Sequence, residues 1–197
     1  MRAETLEREL TARGALLDGH FRLSSGRHSN RFVQKFRILE DPEIVEKIAA
    51  EIARRAQIHK PTVVVSAAVG GIVLGYEVAR QLGTKAIFVE KENGTPALRR
   101  GFALDANDRV LVVEDVVTTG GSVREVLDIV RAHGAETVAV GIIVQRQPAD
   151  FGVPAVTMLE LPVVSYDPAD CPQCANDEPL TEPGSRFLRD GGRVSLS

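Results

Sequence analysis

Leu6 and Leu10 stand four residues apart in a strongly charged segment and predict an amphipathic helix over residues 2–13. Residues 21–33, FRLSSGRHSNRFV, break at Ser-Ser-Gly and predict two short strands around a turn. Ile44, Ile48 and Ile52 recur every four residues, with Val45 and Ala49 widening the stripe, and predict a helix over 41–57. Asp41 is its expected N-cap and Pro42 opens its first turn. Apolar runs then alternate with helical patterns. Strands are predicted over 62–67, 85–90, 109–115, 137–144 and 155–159, and helices over 71–82 and 121–133, closed by Gly83 and Gly134. This alternation predicts an α/β fold with a central, mostly parallel sheet flanked by helices. Residues 91–101 read as a loop, and the Pro-, Gly- and acid-rich stretch after Pro162 as an irregular tail. Ligands of parallel sheets bind beyond the carboxyl ends of the strands, an edge that gathers 67–71, 90–100, 114–122 and 145–147.

The 197 residues suit a single domain, with 44% hydrophobic and 26% charged residues. A net charge of −3 argues against nucleic-acid binding driven by bulk charge. Apolar runs fall short of membrane-spanning length and the first ten residues, MRAETLEREL, are charged, so a cytoplasmic protein without membrane contact is expected. The charge is uneven. Residues 19–39 hold Arg22, Arg27, Arg31, Lys35 and Arg37 with His20 and His28 and no acid, a balance that suits a local anionic ligand or a solvated hairpin face.

The densest chemistry lies at 110–122, VLVVEDVVTTGGS. A buried strand runs into two carboxylates, Glu114 and Asp115, then Val116 and Val117, then Thr118, Thr119, Gly120, Gly121 and Ser122 at a helix start. Unpaired N–H groups and the helix dipole make such a turn a phosphate cradle. Paired buried carboxylates need a partner, so the pattern points to a ligand with both a phosphate and a diol or Mg²⁺. A second small-residue turn, Ser66-Ala67-Ala68-Val69-Gly70-Gly71-Ile72, leaves room for close approach to the backbone. GxGxxG and GxxxxGK[ST] are both missing from the sequence, which counts against a dinucleotide fold and a P-loop. Residues 91–100, with Lys91, Arg99 and Arg100, read as a lid whose cations close over a phosphate ligand, or as a plain solvent loop.

The stretch 110–122 resembles the motif with which type I phosphoribosyltransferases bind phosphoribosyl pyrophosphate (PRPP): four apolar residues, two acids, two further residues, then Thr and small residues. The resemblance extends over most of residues 10–165 and is most specific to the orotate phosphoribosyltransferase family. Three features carry it: the segment GHFRLSSGRHS at 19–29, Lys91 where the family opens its catalytic loop with a basic residue, and Gln145-Arg146 at a strand end. It implies the type I fold with a small N-terminal hood: residues 1–40 as hood, 41–165 as PRPP-binding core, 166–197 as tail. It implies transfer of the phosphoribosyl group of PRPP to orotate, giving orotidine 5′-phosphate and pyrophosphate, in pyrimidine (UMP) biosynthesis.

By the same resemblance Glu114, Asp115 and Lys91 are the catalytic set. PRPP is held by Glu114, Asp115, Lys91, Val69, Gly70 and the turn from Val116 and Val117 through Thr118, Thr119, Gly120, Gly121 and Ser122. Orotate is held by Thr118, Arg146, Phe32 and Val33. Mg²⁺ enters mainly through PRPP, and a homodimer is implied in which loop 91–100 reaches the neighbouring site. The chain departs from the family pattern at Ser24, where many members carry lysine, and in a loop without histidine, where Arg99 and Arg100 supply the cations. Transfer to another base, or a noncatalytic PRPP-sensing regulator, are the alternative readings. Cys171-Pro172-Gln173-Cys174 supplies only two of the four ligands of a zinc site, and the tail around it has no histidine, so it reads as an incidental reduced pair, with a metal site completed across a dimer or a disulfide as the alternatives.

Overall fold

The computed structural model describes residues 1–183. Helix α1 (Ala3–Ala12) buries Leu6 and Leu10 completely. Strands β1 (Leu16–Arg22) and β2 (His28–Val33) pair antiparallel around the Ser-Ser-Gly turn. A short helix α2 (Phe36–Leu39), with no periodic signal in the sequence, precedes α3 (Pro42–Ala56). The Asp41 carboxylate accepts hydrogen bonds from the N–H groups of Glu43 and Ile44, which fixes the start of α3 as expected.

Next come β3 (Val63–Ala67), α4 (Gly70–Leu82), β4 (Lys85–Glu92), β5 (Thr95–Leu98), β6 (Arg109–Val117), α5 (Gly121–Ala132), β7 (Glu136–Gln145) and β8 (Ala155–Glu160). Six strands form one sheet in the order β5-β4-β3-β6-β7-β8, parallel throughout except at the β4–β5 pair. Strand β6 lies inside it and is buried on both faces. Leu111 and Val113 join the core with Ile44, Ile48, Ile52 and Leu74, while Val110 and Val112 join Val123, Val126 and Val130 of α5. Period-two alternation with helices on both sides explains why this strand reads as a continuous apolar run.

Two expectations are corrected. Residues 91–101 are not a long loop, because β4 and β5 form a hairpin that pairs Glu92 with Thr95. Asn93 and Gly94 make its turn with φ of 51° and 86°, the doubly left-handed conformation that favours Asn-Gly between paired strands. The stretch after Pro162 is not irregular throughout, since where it is described it carries a few short elements. Strand β9 (Ser165–Tyr166) pairs with β2 and completes a three-stranded sheet β1-β2-β9; helix α6 (Pro172–Ala175) follows, and Thr181 bridges to Phe21. The remainder of the expected tail, 184–197, lies outside the described residues. Among the described residues no helix is long and apolar enough to cross a membrane.

Candidate functional site

The site is built on the end of β6. Glu114 and Asp115 are both buried there, and each has local partners. The Ser122 hydroxyl donates to Glu114 Oε2 at 2.6 Å, and the Asp115 N–H donates to Oε1 at 3.2 Å. The Val116 N–H donates to Asp115 Oδ1 at 2.6 Å, and Lys35 Nζ stands 3.0 Å from Oδ2, forming an ion pair. Oδ2 receives no aligned hydrogen bond, so Lys35 offsets its charge without saturating it. Burial, and then the neighbouring charge of Asp115, push the Glu114 carboxyl up to about 7. Sequence reasoning did not place Lys35 in the site. Its only signal was membership of the acid-free basic run 19–39.

Gly70, at the start of α4, packs directly on this pair. A Cβ there would lie 1.8 Å from Asp115 Oδ2 and 3.0 Å from Lys35 Nζ, so the position admits only glycine. The preceding Ala68–Val69 peptide bond is cis, and Val69 is exposed beside it. This turn and the 118–122 turn face each other across a cavity of about 190 Å³ lined by Ala67, Ala68, Gly121, Ser122 and Lys91. Lys91 Nζ pairs with Glu125 Oε1 of α5 at 2.8 Å. The other two cations expected to close over a ligand are held on their own hairpin, Arg99 by Glu92 at 3.1 Å and Arg100 by Glu90 at 3.0 Å.

The 118–122 turn has the expected form. Thr118, Thr119, Gly121 and Ser122 are exposed, and Gly120 precedes α5 with φ of 82°. The first N–H groups of α5 have no intrahelical acceptor and stand ready for an anion. The Ser122 hydroxyl is an exception to the expected phosphate set. It is committed to Glu114, which leaves its backbone N–H for the ligand. Arg124 braces the turn by donating to the Thr119 carbonyl at 2.6 Å.

A second cavity, of about 260 Å³, lies between this turn and the β1–β2 hairpin. Ser24, Ser25 and Arg27 line one side and Thr118, Thr119 and Arg146 the other. Arg27 is engaged, donating to the Ser165 hydroxyl at 3.0 Å and its carbonyl at 2.6 Å. Arg146 is held by its backbone, where its N–H donates to the Val117 carbonyl at 2.8 Å. Its side chain is half-buried, its Nε has no hydrogen-bond partner among the described residues, and burial lowers its pKa. A desolvated guanidinium of this kind is a receptor for a planar carboxylate. Phe32 and Val33 do not line this cavity. Phe32 packs on Phe21 with ring centroids 5.7 Å apart, and Val33 belongs to the core beneath the sheet.

Residues 37–155 match the model of the phosphoribosyl transferase domain family. An orotate phosphoribosyltransferase of Desulforamulus reducens is 46% identical over 180 residues, 90% of this chain and 94% of that protein. One of Pelotomaculum thermopropionicum is 49% identical over 177 residues, 89% of this chain and 93% of that protein. Among solved structures, the orotate phosphoribosyltransferase of Aeropyrum pernix superposes with a TM-score of 0.68 at 27% identity, covering 79% of this chain and 93% of that one.

Proposed function

The chain belongs to the phosphoribosyltransferase family and, within it, to the orotate phosphoribosyltransferases, and from that premise we propose how its own residues carry the reaction. It transfers the phosphoribosyl group of PRPP to orotate, giving orotidine 5′-phosphate and pyrophosphate, a step of pyrimidine biosynthesis. The observation that carries the choice of base is Arg146. An unpartnered, half-buried guanidinium facing a cavity beside the PRPP turn calls for an anionic base, and a neutral purine would leave it unpaired.

The 5′-phosphate takes the N–H groups of 118–122, a remote handle that fixes the sugar. Glu114 and Asp115 then meet the ribose hydroxyls. As pyrophosphate leaves the anomeric carbon and the orotate nitrogen arrives, positive charge develops on the sugar, and the two carboxylates stabilise it. Pyrophosphate leaves toward the Val69–Gly70 turn and Lys91. Thr118 and Arg146 orient the base. The residues fit a magnesium ion carried in with PRPP, since the hard carboxylate oxygens of Glu114 and Asp115 stand at the ribose position. Bound there, the ion would offset the charge of the leaving group.

The reading includes a cytoplasmic homodimer in which the β4–β5 hairpin reaches the neighbouring site. Val73 and Tyr76, three apart along α4, are exposed apolar residues on one helix face and support such a contact.

The test is orotate consumption with PRPP and Mg²⁺, followed by ultraviolet absorbance, for the native chain, Asp115→Asn and Arg146→Ala. Turnover by the native chain that drops in both variants is the expected result. PRPP binding without orotate turnover, or turnover of a purine base instead, would overturn the reading.

A further inference from the structure

His20 on β1, His28 on β2, and Cys171 and Cys174 around the start of α6 place four metal-ligating atoms within 4.8 Å of one another. We propose that these four side chains form a tetrahedral zinc(II) site that fastens the C-terminal segment to the hairpin roofing the base cavity. The site lies outside the transfer chemistry and does not depend on which base is used.

The spacing fits one ion. His20 Nε2 is 3.0 Å from His28 Nδ1, 3.5 Å from Cys171 Sγ and 3.7 Å from Cys174 Sγ, and His28 Nδ1 is 3.2 Å from Cys174 Sγ. A tetrahedral zinc with bonds of about 2.3 Å to sulfur and about 2.0–2.1 Å to nitrogen holds its ligand atoms about 3.3–3.8 Å apart. The tautomer fits as well. His20 Nδ1 lies 2.9 Å from the Glu178 carbonyl, which can only accept, so Nδ1 carries the proton and the Nε2 lone pair points into the cluster. That carbonyl is the outer partner that orients a metal-bound imidazole. His20, His28 and Cys171 are buried, so four polar groups converge on one point with little access for water. Two thiols and two imidazoles in tetrahedral array select zinc over magnesium or calcium.

The expectation of an incidental CxxC pair rested on a tail without histidine, and the fold brings two histidines to it. Its missing histidines are not in the tail but about 150 positions earlier, brought in by the β2–β9 pairing and the Phe21–Thr181 bridge.

The site would strengthen an attachment that the backbone makes weakly, since β9 contributes only Ser165 and Tyr166 to the sheet. Binding would release the two thiol protons to solvent.

The experiment uses the untagged full chain, exchanged against free zinc(II) and then desalted. The expected result is one zinc per chain by elemental analysis, two thiols that resist a thiol reagent until a chelator is added, and a fall in Tm of several degrees on stripping. Cobalt(II) substitution should give intense tetrahedral ligand-field bands with thiolate charge transfer. Cys174→Ser and His28→Asn should each lose the metal. Because removing a ligand can also unfold the chain, the native chain decides. Well under one zinc per folded native chain, freely reactive thiols in the presence of zinc, or a cobalt spectrum without thiolate charge transfer would overturn the proposal. An inactive chain that holds zinc leaves it standing, and an active chain that holds none removes it without touching the transferase reading.

Discussion

Glu114 has the most environment-dependent charge in the site. Its carboxyl moves from 4.5 to about 7 on folding because burial and Asp115 both disfavour a second negative charge. Between those values the folded chain keeps a proton that the unfolded chain has released. This group's contribution to stability is therefore present below about 4.5 and is lost as pH rises through about 7. Urea midpoints of the ligand-free protein should fall across that window, and Glu114→Gln should flatten the trend; equal slopes in both proteins would refute the assignment. The companion test lies at Arg146. Truncating a desolvated cation that pairs with a ligand carboxylate costs about 2 kcal/mol or more, so Arg146→Ala should raise KM for orotate roughly 30-fold or more. KM for PRPP should stay near native. A matching rise in both constants would mean that the variant disturbs the turn at 118–122 rather than the base. The acid pair, the turn and Arg146 were all legible in the sequence because strand, carboxylates and glycines are contiguous or fall at strand ends. Lys35 was not, because its link to Asp115 spans 80 positions and depends on how the hairpin folds back.

At the scale of elements, Asp41 shows how local chemistry and packing coincide. Its carboxylate caps α3 and also pairs with Arg13 at 2.7 Å, tying the end of α1 to the start of α3. Asp41→Ala should lower Tm by a few degrees. Asp41→Asn retains a capping oxygen and should recover most of that loss, since a partly exposed ion pair contributes little. If the two variants melt together well below native, the ion pair outweighs the cap. Periodicity located this helix, which buries one regular face, and continuous apolar runs located the parallel strands, which are covered on both faces. It failed at 91–101, where Gly, Pro and charge resemble a loop although Asn93-Gly94 is a hairpin signal. It also failed at α2, a single turn too short to show a period.

At the scale of the whole molecule, the base cavity sits between two sheets that sequence reading treats separately. The roof is a hairpin from the first thirty-odd residues completed by a strand from beyond residue 160, an arrangement that no local pattern announces. The proposed dimer adds one more layer. The Lys91–Glu125 pair is about half exposed, so it contributes at most about 1 kcal/mol and yields readily to a phosphate. A hairpin held this lightly can exchange its own α5 for a neighbouring site. If it does so within a dimer, Lys91→Ala and Asp115→Asn chains, each nearly inactive alone, should complement when refolded together. Random pairing makes half the dimers hybrids, each with one fully native site, so activity should recover to about a quarter of native. Adding Tyr76→Asp to both chains should abolish the recovery by placing a charge on the α4 face. No recovery from a mixture shown by mass to contain hybrids would mean that Lys91 serves its own chain, beside Ala67, Ala68 and Ser122, where the monomer already places it.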